Sequence, residues 1–152
     1  MRHPIQWLSA DFKYNPSHCS MLRAWLLKVI GYHDPSFIVE QLHYIFCSDR
    51  YLLQLNTSFL SHDYYTDIIT FDYTQGKNIN AEVFISINRI KENAITYNEK
   101  FPIELRRVMA HGVLHILGYK DETKQQRSAM SQAEEDALRI YYHLKQEKIK
   151  HR

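Results

Sequence analysis

The chain has 152 residues, 45% of them hydrophobic, and a formal net charge of +2. That length suits one domain with room for a sizeable core, and the near-neutral balance excludes a bulk basicity that would itself demand a nucleic-acid partner, while leaving a basic face open. The run Ala24-Trp25-Leu26-Leu27 stops at Lys28, far short of a bilayer span, and residues 1–14 lack the apolar core of a signal peptide; with no CxxC pair, Cys19 and Cys47 are expected as reduced thiols of a cytosolic protein with no membrane partner.

The first segment, with Ile5, Trp7 and Leu8 and then Phe12, reads as a strand. Asn15-Pro16-Ser17 opens a helix, with a polar cap and a proline near the first turn. Met21, Leu22, Trp25, Leu26, Val29 and Ile30 form its buried stripe, and Gly31 is the expected C-cap. Residues 36–47 alternate imperfectly through Phe37, Val39, Leu42, Tyr44 and Phe46, a second strand. Ser48-Asp49 caps a short helix carrying Leu52, Leu53 and Leu55. Residues 67–73 and 81–87 are rich in β-branched and aromatic side chains and read as strands, joined by a polar loop at 74–80 that contains Gly76. Asn88 is expected to cap a helix through Ile90, Ala94 and Tyr97, which Phe101-Pro102 interrupts. The next helix has Glu104 in its first turn and runs through Leu105, Val108, Leu114 and His115 to Leu117. Residues 128–144 form a last helix with a stripe of Met130, Ala133, Ala137, Ile140 and Tyr141; Glu134, Glu135 and Asp136 read as its solvated face, and residues 145–152 as a frayed basic tail. This order predicts an α/β (α+β) chain: one mixed sheet of about four strands, covered by helices, with the helix around His111 central.

The chemistry concentrates in His111-Gly112-Val113-Leu114-His115-Ile116-Leu117-Gly118-Tyr119-Lys120-Asp121. Histidines four apart on a helix share a face and can bind one metal ion. Gly118 ends the helix, and the returning chain brings Asp121 within reach as a third ligand. Three protein ligands leave a position for water, as in catalytic rather than closed structural sites. The alternative is that Asp121 merely caps a turn. Gly112 stands where a His-Glu-x-x-His metallopeptidase carries its general base, so no base is built into this helix.

This stretch resembles the signature of the YbeY family, His-Gly-x-Leu-His-Leu-x-Gly-Tyr-Asp-His. His111, Gly112, Leu114, His115, Gly118 and Tyr119 match in register; Lys120 replaces the family Asp and Asp121 its last His. Upstream, Asn56, Phe59, Asp63, Thr66 and Asp67 fit the family's Leu-Asn segment, and Glu82 fits the acidic position of its Gly-Asp-Ile-x-Ile-Ser strand. The resemblance implies a single domain over 1–152. It also implies a metal-dependent, single-strand-specific endoribonuclease of small-subunit ribosomal RNA 3′-end maturation and ribosome quality control. One divalent ion, zinc as first choice, would be held by His111, His115 and Asp121. Ribosomal RNA and the small ribosomal subunit would be its partners.

One departure bears on activity. Leu60 occupies the place of a family Arg, a natural phosphate ligand. His62, Arg106 and Arg107 are the candidate replacements, with Asn56 a further candidate RNA contact. Metal-bound water is the expected nucleophile, and metal-stabilised attack by the ribose hydroxyl is the other route left open. Asp67 and Glu104 are candidate acid–base or supporting residues; Glu104 lies seven residues before His111, nearly on the same helix face. Thr66, Asp67 and Glu82 suit turn chemistry and hydrogen bonding at strand ends better than direct catalysis. Two other readings stay open: a metal hydrolase on another substrate, such as a peptide, and a ribosome-associated RNA-binding protein with reduced or no catalysis.

Overall fold

The computed structural model describes residues 2–61 and 65–150. The strands are β1 (Ile5–Ser9), β2 (Ile38–Cys47), β3 (Ile68–Asp72) and β4 (Asn78–Ser86); the helices are α1 (Cys19–His33), α2 (Asp49–Leu60), α3 (Ile87–Thr96), α4 (Phe101–Ile116) and α5 (Lys124–Lys150). They form one four-stranded sheet in the order β1-β2-β4-β3, the mixed sheet expected. β1 and β4 both run parallel to β2, and β3 runs antiparallel to β4. Parallel neighbours need a crossover, and α1 supplies it between β1 and β2.

Alternation along the strands separates two faces. Leu42, Tyr44 and Phe46 of β2 and Ile79, Ala81, Val83 and Ile85 of β4 join Trp25, Leu26 and Val29 of α1, Met109 and Val113 of α4, and Tyr141 of α5 in the main core. Cys47, Ile69, Phe71 and Phe84 turn to the opposite face and meet Leu52 and Leu55 of α2. Two buried polar groups are tied into the packing: the Tyr44 hydroxyl donates to the Met109 carbonyl at 2.9 Å, and Trp25 Nε1 to the Ala137 carbonyl at 2.7 Å.

Several expected boundaries move. Helix α1 starts at Cys19 behind His18, which takes a left-handed φ of 61° and caps with no side-chain bond; Asn15-Pro16-Ser17 lies outside. Gly31 sits inside α1, which continues to His33 and ends at Asp34. Ser48 caps α2 as expected, accepting from the Tyr51 N–H. For α3 the cap is Ser86, whose hydroxyl accepts from the Arg89 N–H at 3.1 Å; Asn88 instead accepts from the Asp49 N–H. The loop between β3 and β4 is shorter than expected because β4 begins at Asn78, after a turn with Gly76 at φ +59°. The basic tail expected to fray is helical as far as Lys150. Among the described residues, no helix is long and apolar enough to cross a membrane.

Candidate metal centre

Helix α4 lies across β3 and β4, and Gly112 lets it lie close. A β-carbon there would sit 3.0 Å from Ile68 Cδ1 and 3.1 Å from Val83 Cγ1. The same closeness leaves no room for a glutamate, so packing excludes the metallopeptidase base from this position. Beside that contact, the His111 and His115 rings meet edge to face with centroids 4.5 Å apart.

The turn after α4 completes the constellation. Gly118, at φ +110°, reverses the chain, and the Tyr119 N–H bonds back to the Leu114 carbonyl at 2.9 Å. Asp121 then lies with Oδ2 3.4 Å from His111 Nε2 and 3.2 Å from His115 Nε2. One ligand atom from each of the three residues falls within 4.8 Å of the others, a group able to hold a metal ion.

The ring nitrogens on the far side fix what the near side offers. His115 Nδ1 is 3.0 Å from the Tyr119 carbonyl, and His111 Nδ1 is 2.7 Å from Glu134 Oε2. A carbonyl and a carboxylate accept only, so each Nδ1 carries the proton. In the neutral rings both Nε2 lone pairs therefore point at the Asp121 carboxylate. Three electron-pair donors converge without a proton between them, which is the donor set of a two-His, one-carboxylate cation site. Burial alone would lower the proton affinity of His111, but the Glu134 bond and the charges of Glu134, Asp121 and Asp67 outweigh it and hold the ring above its ordinary value.

Two clefts flank His111. One, of about 620 Å³, is lined by Asn56, Leu60, Thr66, Asp67, Asp72, His111, His115 and Asp121 among others, and none of its described lining residues is Lys or Arg. The other, of about 490 Å³, is lined by Asp67, Asn93, Tyr97, Glu99, Glu104, Arg107 and Glu134. Asp67 borders both. The Asn93 amide donates to Asp67 at 3.1 Å and reaches Glu104 at 3.5 Å. Burial pushes both carboxyls up, against the pull of His111 on Asp67 and of Arg107 on Glu104.

The remaining sequence candidates scatter. Glu104 is buried and bonds Asn93, with Arg107 at 3.6 Å; the support for His111 comes from Glu134, which the sequence reading had placed on a solvated face. Arg106 stacks its guanidinium on Tyr141, 3.9 Å from the ring centroid, beside a different cleft. Arg107 is held at 2.6 Å by Glu135. Glu82 meets Tyr73 and lines neither cleft. His62 and Asp63 lie outside the described residues. Sequence reasoning missed Glu134 and Asn93. A signal for Glu134 existed: it stands four residues after Met130 and three before Ala137, beside the apolar stripe of α5.

Comparison with known proteins agrees with the resemblance. The family model described as Endoribonuclease YbeY matches residues 11–142. The chain is 46% identical over 134 residues to endoribonuclease YbeY of Cytophaga hutchinsonii, covering 88% of this chain and 92% of that one. It is 45% identical over 122 residues to the Flavobacterium psychrophilum protein of the same name, covering 80% and 85%. A solution structure of a Thermotoga maritima protein shares the fold, with a TM-score of 0.63 at 20% identity over 95% of this chain and 93% of that one. With this sheet, this His-His-Asp group and these relatives, the chain belongs to the endoribonuclease YbeY family.

Proposed function

We propose that this protein is a metal-dependent endoribonuclease, acting on single-stranded RNA in small-subunit ribosomal RNA 3′-end maturation and ribosome quality control, in the cytoplasm and as one domain over 1–152. The observation that carries the chemistry is the convergence of His111 Nε2, His115 Nε2 and Asp121 Oδ2 beside an open cleft. RNA, the ribosomal partners and zinc as first choice of metal enter from the family relationship. A divalent cation at this site supplies Lewis acidity and positive charge next to a phosphoryl group.

The chain's own residues do the rest. His111 and His115 present their Nε2 lone pairs, with Nδ1 protons held by Glu134 and by the Tyr119 carbonyl. Asp121 brings a hard oxygen and a negative charge where the family pattern has a neutral imidazole, which makes the site a weaker Lewis acid and admits iron or manganese as well as zinc. Asp67, raised by burial and opening on both clefts, is the group placed to exchange a proton there.

The test is metal content per chain by elemental analysis, with cleavage of a single-stranded ribosomal RNA fragment. About one equivalent is expected in the wild type, with metal and cleavage lost together in His111→Ala and Asp121→Ala. Metal retained in Asp121→Ala moves the third ligand elsewhere. Leu60 where the family has Arg, and Asp121 where it has His, keep one second reading in play: an RNA-binding protein of reduced catalysis, binding outside this cleft. RNA binding with no cleavage dependent on His111 would establish it.

A further inference from the structure

The two histidines of the pair are held by chemically different partners. His115 Nδ1 faces the Tyr119 carbonyl, supplied by the turn four residues on. His111 Nδ1 faces the carboxylate of Glu134, which comes from another helix 23 residues away. We propose that Glu134 is a positioning residue: from α5 it fixes the His111 ring with Nε2 toward the ion, and so sets the protein's metal affinity. The inference rests on the metal-site reading above.

Three observations support a built contact. The distance is 2.7 Å, and the Glu134 side chain is only 13% exposed. Met130, one turn earlier, and Ala133, next to it, are buried against Leu114 of α4, so the segment carrying Glu134 is docked by apolar packing. The neighbouring carboxylate is otherwise engaged: Glu135, 52% exposed, takes Arg107 at 2.6 Å, while Arg107 Nη1 stays 4.0 Å from Glu134 Oε1. The imidazole is thus the shortest contact of Glu134, with Arg107 only at the edge of ion-pair distance. A carboxylate behind a ligand imidazole holds the tautomer and ring angle and makes the ring a better electron donor; losing such a partner typically costs about 10- to 100-fold in metal affinity. The backbone carbonyl behind His115 cannot be removed by substitution and carries no formal charge, so the tuning resides on the His111 side.

Zinc affinity by chelator competition tests this on wild type, Glu134→Gln, Glu134→Ala and Glu135→Gln, with apo-protein melting measured in parallel. Glu134→Ala is expected to weaken zinc by about 10- to 100-fold. Glu134→Gln keeps an acceptor oxygen without the charge and is expected between that and wild type, while its apo melting stays close to wild type. Glu135→Gln removes the same charge one residue away but loosens Arg107, which lies 4.0 Å from Glu134, so it is expected to weaken zinc by clearly less than Glu134→Gln. Wild-type affinity in Glu134→Gln overturns the proposal, as does an equal loss in Glu135→Gln, which would make the effect one of bulk charge. A variant whose apo melting falls while its zinc affinity holds overturns it too, since Glu134 would then serve only packing. Failure of wild type itself to bind zinc, iron or manganese removes the metal-site reading, and is distinguishable because no variant is needed to see it.

Discussion

The chain carries two helical glycines whose replacement by alanine should act in opposite directions. At Gly31, near the end of α1, an added methyl meets nothing within 4 Å. Alanine there removes backbone freedom from the unfolded chain and favours the helix, by about 0.5–1 kcal/mol. At Gly112 the same gain applies, but the methyl lands 3.0 Å from Ile68 Cδ1, 3.1 Å from Val83 Cγ1 and 3.6 Å from Thr70 Oγ1. Overpacking of this kind costs about 1–3 kcal/mol, which offsets the helix gain and leaves Gly112→Ala neutral to about 2 kcal/mol less stable. The gap between the two variants is therefore about 1–3 kcal/mol, or about 2–12 °C in melting temperature for a chain of this size. Thermal unfolding of the two metal-free variants, checked by urea titration, reads it directly. Because Gly112 lies between the two metal-pair histidines, the methyl that lifts α4 off the sheet should also weaken zinc binding. Stabilisation of Gly112→Ala by as much as Gly31→Ala would refute the claim that close helix–sheet packing, rather than catalysis, fixes glycine at 112.

Leu60→Arg should strengthen binding and cleavage of single-stranded RNA by roughly tenfold, the low end for a charge-assisted hydrogen bond to phosphate because the position is 42% exposed; filter binding and cleavage rates at fixed salt check it, and no change would mean the leucine site does not face the phosphate. Cys47 is fully buried with its thiol pushed up to about 12, chiefly by burial, whereas Cys19 is partly accessible, so one thiol per native chain should react with a disulfide reagent at mildly alkaline pH and two in denaturant. Asp67 and Glu104 are raised by burial, so in the folded state they hold protons that the unfolded chain releases above about pH 4. Their contribution is full in acid and declines as pH rises through the folded values; the Asp67→Asn, Glu104→Gln double variant should therefore show a flatter fall in melting temperature above that pH, and an unchanged slope would assign the dependence to other groups.

Much of the site was legible in the sequence because its main signal is local. His111 and His115 share one helix face, and Gly118 and Asp121 follow within a single turn, so spacing alone brings the three side chains together. Ser48 as a cap was legible for the same reason. Errors arose where two local solutions competed. Asn88 and Ser86 both suit an N-cap; Ser86 took α3 because Asn88 is bonded to the Asp49 N–H, a contact 39 residues away. Gly31 reads as a helix stop, yet α1 runs on to His33. Sheet order and the parallel directions were illegible, since β1–β2 and β2–β4 join strands separated by helices; only β3 and β4 are linked by a short turn. Glu134 was misread because charge suggests solvent; only the docking of α5 on α4 shows that its position faces a histidine.

Two of the three departures from the family pattern act in the same direction; the third, Lys120 for Asp, adds positive charge but lines neither cleft beside His111. Leucine for arginine at 60 and aspartate for histidine at 121 each subtract one unit of positive charge from the cleft where a phosphate would sit. The cleft's described lining holds Asp67, Asp72 and Asp121 and no Lys or Arg, while Arg107, across His111, is committed to Glu135. Through His111, Glu134 adds a further negative charge behind the ion. A polyanion entering this cleft meets carboxylates and no Lys or Arg among the described lining residues, so a bound divalent cation would supply attraction there. Metal loading is then expected to raise RNA affinity as well as to permit cleavage; RNA binding with and without a chelator checks this, and equal affinity in both would refute it. In a member of the family that keeps the arginine, by contrast, the guanidinium can hold phosphate without help from the ion. The carboxylate behind His111 and the leucine at 60 would then couple the two ligands, each binding more tightly in the presence of the other.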